Sequence, residues 1–210
     1  MSTSINIATG LSKIGMLLRA SEWARADTSG LTPTQSQILV HLVSRGPARV
    51  TDVAEEIAVT QPTASDSVSA LVRKGMIRKR RDPADARAVL LHPTPVGRRV
   101  AQDAAVWPDA LLAAVDVLEP DEQAAFLKGL TKMIRTMQVR GAIPVQRLCV
   151  SCRHFQPNKH KGSDQPHHCA FVDAAFGDAD LRLDCGDHEP AEDTDAAAQW
   201  AAFASVASAE

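Results

Sequence analysis

The chain has 210 residues, with 23 Lys and Arg against 25 Asp and Glu, and a formal net charge of −2. This length allows one well-packed domain and a small appendage. No run of eighteen apolar residues occurs, so we expect no membrane-spanning segment. The N-terminus shows no basic stretch followed by an apolar core, so we expect no secretory signal. These features predict a cytoplasmic protein whose thiols stay reduced.

The charge is unevenly distributed along the chain. Residues 31–100 carry eleven Lys and Arg against six Asp and Glu, whereas residues 141–210 carry five against eleven. The first segment therefore has a local charge of +5, which is typical of a nucleic-acid-binding region. The second has −6 and is not expected to contact phosphates.

The first predicted helix covers residues 5–26, because its apolar side chains recur with helical spacing. These side chains are Ile5, Ile7, Leu11, Ile14, Leu17, Leu18 and Trp23. Such a stripe is typical of a helix that faces its own core, or of one that partly contacts a second molecule.

Two shorter helices are predicted next. Thr32 or Thr34 can cap the first, and Gly46 ends it. The second covers residues 51–57, with Thr51 as its N-cap. Their apolar positions predict that both pack into a common core.

A fourth helix is predicted over residues 61–74, between the N-cap Thr60 and Gly75. The turn before it completes a helix-turn-helix, so we expect this fourth helix to lie in a DNA major groove. Ala64, Val68 and Leu71 are predicted to face inward. The candidates for DNA contact on the outward face are Gln61, Thr63, Ser65, Asp66, Ser69 and Arg73. The alternative for each is a solvated helix face.

A basic β-hairpin is predicted after this helix, with strands at residues 76–81 and 88–92 and a tight turn at residues 82–85. Asp85 lies two residues before Arg87, so we predict that its carboxylate holds the Arg87 guanidinium in a fixed orientation. An arginine held at a hairpin tip suits a narrow minor groove. The candidates for DNA contact in this wing are Arg80, Arg81, Asp85 and Arg87. The alternative is a solvated run of charges.

Two long helical stretches are predicted after the wing. The first runs from Thr94 to about Leu118, with a break near Pro108, because proline removes a backbone donor and clashes with the preceding turn. The second opens at residues 119–122. Its apolar stripe contains Phe126, Leu127, Leu130, Met133, Ile134 and Met137. One small winged domain cannot cover this surface, so we expect a homodimer, which also suits the two half-sites of a palindromic operator.

The sequence from about residue 5 to residue 140 resembles the MarR family of bacterial transcription regulators. The matching residues are Leu71-Val72-Arg73-Lys74-Gly75-Met76-Ile77, Arg80-Arg81-Asp82-Pro83-Ala84-Asp85-Ala86-Arg87, Leu91, Thr94, Gly97-Arg98 and, upstream, Leu31-Thr32-Pro33-Thr34-Gln35. The resemblance implies a dimer built by the first helix and the last two helices, and minor-groove insertion of the wing arginine. Ala86 stands where the family often has a second arginine, and Asp66 places an acid on the presumed reading helix.

All four cysteines lie near the C-terminal end, with the spacing C-x2-C-x16-C-x15-C. They are Cys149, Cys152, Cys169 and Cys185. In a reducing compartment such a cluster more often binds metal than forms disulfides. The polar loops between the cysteines have little apolar content to order them, so a bound metal is expected to hold this part together.

Two metal groups accept four thiolates: an iron–sulfur cluster, with [4Fe-4S] favoured, and zinc. Unliganded thiols are the third alternative. The neighbouring apolar residues favour a cluster, because they would shield it. Residues 149–155, 168–169 and 185–188 also resemble the small iron–sulfur subunits of glycyl-radical decarboxylases. His167 and His168 could replace a cysteine in a zinc site or act as neighbouring donors.

The predicted fold is mainly α with a small β-hairpin wing, as a dimeric winged helix-turn-helix followed by a small cysteine-rich metal-binding domain. We place the winged and dimerisation part at residues 1–140, the metal-binding domain at 141–190 and an acidic, Ala-rich tail at 191–210. Within the tail, residues 195–206 are predicted to form an amphipathic helix.

The predicted function is a DNA-binding transcription regulator, with a repressor favoured. Its cysteine site is predicted to sense redox state, oxygen or iron. In the alternative the metal is structural zinc, and a small aromatic effector binds between the dimer and winged parts. An enzyme is a third hypothesis, but no nucleophile elbow, phosphate-binding loop or H-E-x-x-H motif occurs.

Overall fold

The computed structural model describes residues 2–85 and 87–205. The chain divides into two compact units, Met1–Leu112 and Ala113–Glu210. No helix among the described residues is both long enough and apolar enough to cross a membrane.

The first unit is helical with one β-hairpin. Its elements are α1 (Thr3–Ser29), α2 (Pro33–Arg45), α3 (Val50–Glu56), α4 (Gln61–Arg73), β1 (Ile77–Arg81), β2 (Val89–Pro93) and α5 (Pro95–Ala104). The strands β1 and β2 are antiparallel, with Ile77 opposite Pro93 and Arg81 opposite Val89. Ala48 forms an additional backbone bridge to Leu91, which ties the hairpin to the segment before α3. This is the predicted helix-turn-helix followed by a wing.

Three threonines begin helices of the first unit in the same way. The hydroxyls of Thr32, Thr60 and Thr94 each accept a hydrogen bond from a backbone N–H three residues later, and a proline lies in each first turn. The predicted cap Thr60 is therefore confirmed, and of the two candidates Thr32 and Thr34 it is Thr32 that caps α2. Gly75 has a φ of 68°, so it ends α4 in the left-handed conformation predicted for it.

The prediction for the start of α3 was wrong by two residues. Arg49 rather than Thr51 is the N-cap, and its backbone N–H donates to the carboxylate of Asp52 at 3.3 Å. Asp52, three residues after the cap, thus accepts a backbone N–H at the start of the helix. The Thr51 hydroxyl is not needed as a cap and donates to Asp52 instead.

The core of the first unit lies between α2, α3, α4, α5 and the hairpin. Its buried members are Leu31, Ile38, Leu39, Leu42, Val53, Val68, Leu71, Ile77, Leu91 and Ala101. Ala64, Val68 and Leu71 are completely buried, as predicted for the inward face of α4. Burial of these three fixes the rotation of α4, so its opposite face is presented to solvent.

The apolar stripe of α1 does not face the core of this chain. Ile5, Ile7, Ile14, Leu17 and Trp23 are between 38% and 63% exposed. The interpretation that these side chains pack on their own core is therefore wrong, although α1 itself is helical as predicted. Their exposed area is what a second molecule would have to cover.

The second unit contains α7 (Pro120–Val139), a three-stranded antiparallel sheet and α8 (Asp193–Ala204). The strands β3 (Phe155–Gln156), β4 (His167–Cys169) and β5 (Ala174–Phe176) follow one another in the sheet. A short helix α6 (Asp109–Val115) precedes α7, and the chain breaks between α5 and α6 at Pro108, as predicted.

The core of the second unit joins α7 to the cysteine-containing segment. Leu148, Val150, Cys152, Phe155, Leu181 and Phe203 are buried together. Leu127 and Ile134 of α7 pack against this cluster. The division between compact units therefore falls before α7, at residues 112 and 113, whereas the sequence places a boundary near residue 140. The tail helix α8 forms as predicted and supplies Phe203, while Val206 lies outside the described residues.

Candidate nucleic-acid interface and cysteine cavity

The outward face of α4 is polar and accessible. Gln61, Thr63, Asp66 and Arg73 are exposed, and two serines are half-buried beside them, at positions 65 and 69. The Thr63 hydroxyl shares a hydrogen bond of 2.8 Å with the N-cap hydroxyl of Thr60. These amide, hydroxyl and carboxylate groups are the types that recognise base edges and phosphates in a major groove.

The wing carries a dense positive charge next to α4. In β1 the apolar Ile77 is buried, whereas residues 78–81 are exposed. Arg87 is also exposed, in the turn before β2. Within the part of the chain that the structure describes, no carboxylate pairs with Arg80, Arg81 or Arg87. These guanidinium groups are thus available to phosphates or to a groove.

The predicted pairing of Asp85 with the Arg87 guanidinium does not occur. The backbone N–H of Arg87 donates to Asp85 Oδ1 at 3.0 Å, so Asp85 fixes the turn and not the side chain. The other oxygen, Oδ2, accepts from Arg49 Nη2 at 3.3 Å. A short turn brings the Arg87 backbone to the carboxylate, and the tertiary fold brings a different arginine to it.

Arg49 therefore bridges two carboxylates of the wing turn. Its Nη2 lies 3.3 Å from Asp82 Oδ2 and 3.3 Å from Asp85 Oδ2. The backbone N–H of Ala84 lowers the pKa of Asp82, burial opposes this effect, and Arg49 lowers the pKa further. The sequence analysis missed this bridge, because Arg49 is more than thirty residues from either acid and belongs to no local pattern.

The four cysteines surround one cavity in the second unit, with a volume of about 300 Å³. Cys149 and Cys152 come from a 3₁₀ turn and the residue after it, Cys169 from the end of β4, and Cys185 from a later loop. Backbone bonds fix this arrangement: Cys185 N–H donates to the Arg147 carbonyl at 3.0 Å. All four thiols thus line the same cavity, and their role as ligands of one centre stays a prediction.

Aromatic and charged residues complete the cavity wall. Phe155, Phe171 and Phe176 line it, and so do His154 and Arg182. Burial raises the pKa of the Cys149 thiol, the N–H of Arg182 opposes this effect, and the other three cysteines raise the pKa further. That N–H lies 3.3 Å from Cys149 Sγ. Within residues 2–85 and 87–205, no three Cys, His, Asp or Glu side chains form a ready-made metal site.

His167 and His168 are not part of this cavity wall. His167 Nε2 bonds to Asp178 Oδ1 at 2.9 Å, and His168 Nε2 lies 3.2 Å from Asp173 Oδ1. His168 Nδ1 also faces His160 Nε2 at 3.3 Å. Both imidazoles thus have other partners, so the idea that one of them replaces a cysteine ligand is wrong for this arrangement. The possible donors in the cavity lining are the four thiols, His154, Gln165 and the carboxylates of Asp180 and Asp187.

Comparisons with known proteins agree with the fold of the first unit. Residues 29–88 match the MarR family model. A search of curated proteins found no match. A MarR family protein from Bacillus stearothermophilus is similar in structure, with a TM-score of 0.57 and 20% identity, over 66% of this chain and 99% of that chain.

Two further solved structures are similar over the same share of the chain. FabT of Streptococcus pneumoniae, in complex with DNA, has a TM-score of 0.56 and 24% identity, over 64% of this chain and 97% of its own. The transcriptional regulator BldR of Sulfolobus solfataricus has a TM-score of 0.50 and 26% identity, over 65% and 99%. The stretch that is similar to the MarR family model contains α2, α3, α4 and β1, and the winged-helix fold of the first unit is similar to that of these solved structures.

Proposed function

We propose that this protein is a DNA-binding transcription regulator of the MarR type, and not an enzyme. The single observation that carries the proposal is the juxtaposition within the first unit of an exposed polar face on α4 and a wing whose arginines have no acidic partner among the described residues. The helix α4 enters a major groove, and Arg87 enters the minor groove beside it. The FabT structure with DNA supports the same use of this fold.

The regulator acts as a homodimer on a palindromic operator. The exposed apolar side chains of α1 support this, and so do Phe126, Met133 and Met137 on α7, which are 37–42% exposed. Apolar patches of this kind are normally covered in the working assembly. In a two-fold dimer the same surface of both protomers would be covered, and the two copies of α4 would face two half-sites.

The cysteine cavity holds a metal centre that reports redox state, oxygen or iron, and the repressor releases or binds its operator in response. Cys149, Cys152, Cys169 and Cys185 would be the ligands, since all four line the cavity. Its volume of about 300 Å³ leaves room for a cluster as well as for a single ion. An iron–sulfur cluster would supply reversible electron transfer and sensitivity to oxygen.

The residues around the cavity would each contribute to such a centre. Three phenylalanines line it, and an apolar lining of this kind would reduce the access of water and oxidants to a bound centre. The Arg182 backbone N–H would donate to the Cys149 sulfur, and its guanidinium lies 4.0 Å from Cys185 Sγ. Both groups stabilise negative charge on the thiolates. Structural zinc with a small aromatic effector elsewhere is the competing proposal.

Two measurements test the proposal. Protein purified without oxygen should contain iron and sulfide and absorb broadly in the visible; a colourless protein with one equivalent of zinc would support the competing proposal. Selection from random double-stranded DNA should yield a palindromic site, and nuclease protection should cover both half-sites. Recovery of no preferred sequence with either the loaded or the metal-free protein would contradict regulation through DNA.

A further inference from the structure

His167 is a buried imidazole with both ring nitrogens engaged. Its side chain is 1% exposed, and it lies on β4 two residues before Cys169. The backbone N–H of Asn158 donates to Nδ1 at 3.2 Å, so Nδ1 carries no proton. The proton therefore resides on Nε2, which donates to Asp178 Oδ1 at 2.9 Å. These two bonds fix the position and the rotation of the ring.

Asp178 also bonds to a residue of α7. Its second carboxylate oxygen, Oδ2, accepts from Lys128 Nζ at 2.8 Å. Burial alone would raise the pKa of Asp178, but the hydrogen bonds from Lys128 and His167 lower it below its ordinary value, so the carboxylate is ionised at neutral pH. One carboxylate thus joins the strand that carries Cys169 to the helix that carries Lys128.

The packing around His167 makes this connection stiff. The rings of Phe155, Phe176 and Phe203 lie 5.4–5.6 Å from the His167 ring, centroid to centroid. Lys128 Nζ lies 5.5 Å from the centre of the Phe203 ring. Close-packed side chains of this kind transmit a displacement because they cannot absorb it by collapse.

We infer that the connection His167–Asp178–Lys128 couples the cysteine cavity to α7, and that these three are positioning residues for the sensor. A change of state at the cysteines moves β4, and the carboxylate carries that movement to α7. The inference rests on the proposed function for its regulatory meaning, since α7 supplies part of the exposed apolar surface assigned to the dimer. The coupling itself needs neither DNA nor a particular metal.

Coupling is reciprocal, so it can be tested from either end. In full-length, metal-free protein, Lys128→Met removes the cation that holds Asp178. We expect faster alkylation of Cys169 by N-ethylmaleimide, resolved by peptide mass spectrometry, and faster amide hydrogen exchange in α7. We expect each of the two rates to rise about fivefold or more, which is the size of a typical coupling between two sites. Lys128→Arg keeps the charge and should restore both rates.

Lys132→Met is the matched control. Lys132 lies on the same helix, and its Nζ is 5.8 Å from the centre of the same Phe203 ring, but it donates to the Ala204 carbonyl and not to Asp178. This control should leave Cys169 alkylation unchanged. Equal effects of Lys128→Met and Lys132→Met, or no effect of Lys128→Met, would overturn the inference. Lys128 is one-third exposed, so the variant is expected to fold.

The regulatory consequence is measured separately. Stripping the metal from the native protein should change operator affinity, and in Lys128→Met the stripped and loaded forms should bind alike. If the coupling between Lys128 and Cys169 is found but operator affinity ignores the metal, the sensing part of the proposed function fails and the coupling stands. If operator affinity responds equally in both proteins, the signal does not pass through Asp178.

Discussion

Gly97, the third residue of α5, lies directly against the backbone of Met76. A Cβ at position 97 would overlap the Met76 carbonyl oxygen and lie 3.3 Å from Leu39 Cδ2. The same carbonyl accepts the Thr94 N–H at 2.9 Å. The beginning of α5 is therefore held against the junction between α4 and the wing, and glycine is the residue that permits this approach.

We expect Gly97→Ala to destabilise the first unit by about 1–3 kcal/mol, as overpacking of a tight contact usually does. Thermal unfolding and hydrogen exchange in α4 and β1 would measure the loss. Gly10→Ala is the control, because Gly10 lies in α1 with open space at its Cβ position. An alanine there should be neutral or stabilising. Equal stability of Gly97→Ala and the native protein would refute the contact.

Arg87→Ala should weaken operator binding without changing the fold. The side chain is exposed and has no carboxylate partner among the described residues, so its removal costs only contacts to DNA. A lost minor-groove arginine typically costs on the order of 1–3 kcal/mol. Fluorescence anisotropy at moderate salt would measure this cost. Arg140→Ala removes the same charge from the exposed end of α7 and should bind normally. Unchanged affinity of Arg87→Ala would remove the wing from the mechanism.

Operator affinity should fall steeply with salt despite the net charge of −2. The basic residues 31–100 act twice in a dimer, and each phosphate contact releases counterions. We expect a slope of roughly −4 to −8 for log K against log salt concentration. The measurement is a titration series at constant pH. A slope near zero would mean that the wing faces solvent in the complex.

Arg49 gives a test of how the wing is held. If Arg49 positions the turn, Arg49→Gln should weaken operator binding less than Arg87→Ala does, and Asp82→Asn should weaken it in the same way. If instead Arg49 contacts a phosphate directly, Asp82→Asn would free the guanidinium and strengthen binding. Asp82→Asn is measured alone and combined with Arg49→Gln. Whether operator affinity rises or falls in Asp82→Asn, and whether Arg49→Gln abolishes that change, decides between the two roles.

Each of the four cysteines should be required for metal binding. Cys149→Ser, Cys152→Ser, Cys169→Ser and Cys185→Ser remove one ligand each from the same cavity, which opens the centre to water. We expect lower metal content in every variant, measured by elemental analysis, and increased proteolysis between residues 157 and 166. The first unit should keep its cooperative unfolding. Full metal content in any one variant would exclude that cysteine as a ligand.

Local signals in the sequence were sufficient for the winged helix. The cap Thr60 and the stop at Gly75 depend on hydrogen bonds and dihedral angles within a few residues, so local sequence predicts them, and it narrows the cap of α2 to Thr32 or Thr34. Residue type and spacing also predicted a common site for the four cysteines, and all four line one cavity, although their metal stays a prediction.

Contacts between distant segments were beyond such signals. The pairing of Asp85 with Arg49, and not with Arg87, depends on how α3 packs beside the wing. Likewise, nothing near Leu127 indicates that it packs on the core that contains Leu148 and Phe203. An amphipathic stripe indicates which face of a helix is apolar, but it does not identify the segment that covers that face.

The shared core of α7 and the cysteine segment limits how this chain can be shortened. The solved winged-helix structures match about two thirds of it, so a fragment ending at residue 140 would look natural in length. That fragment would strip Leu127 and Ile134 of the side chains that cover them. It would expose fresh apolar surface and tend to aggregate during expression. A soluble fragment of this chain would therefore have to keep the cysteine segment together with α7.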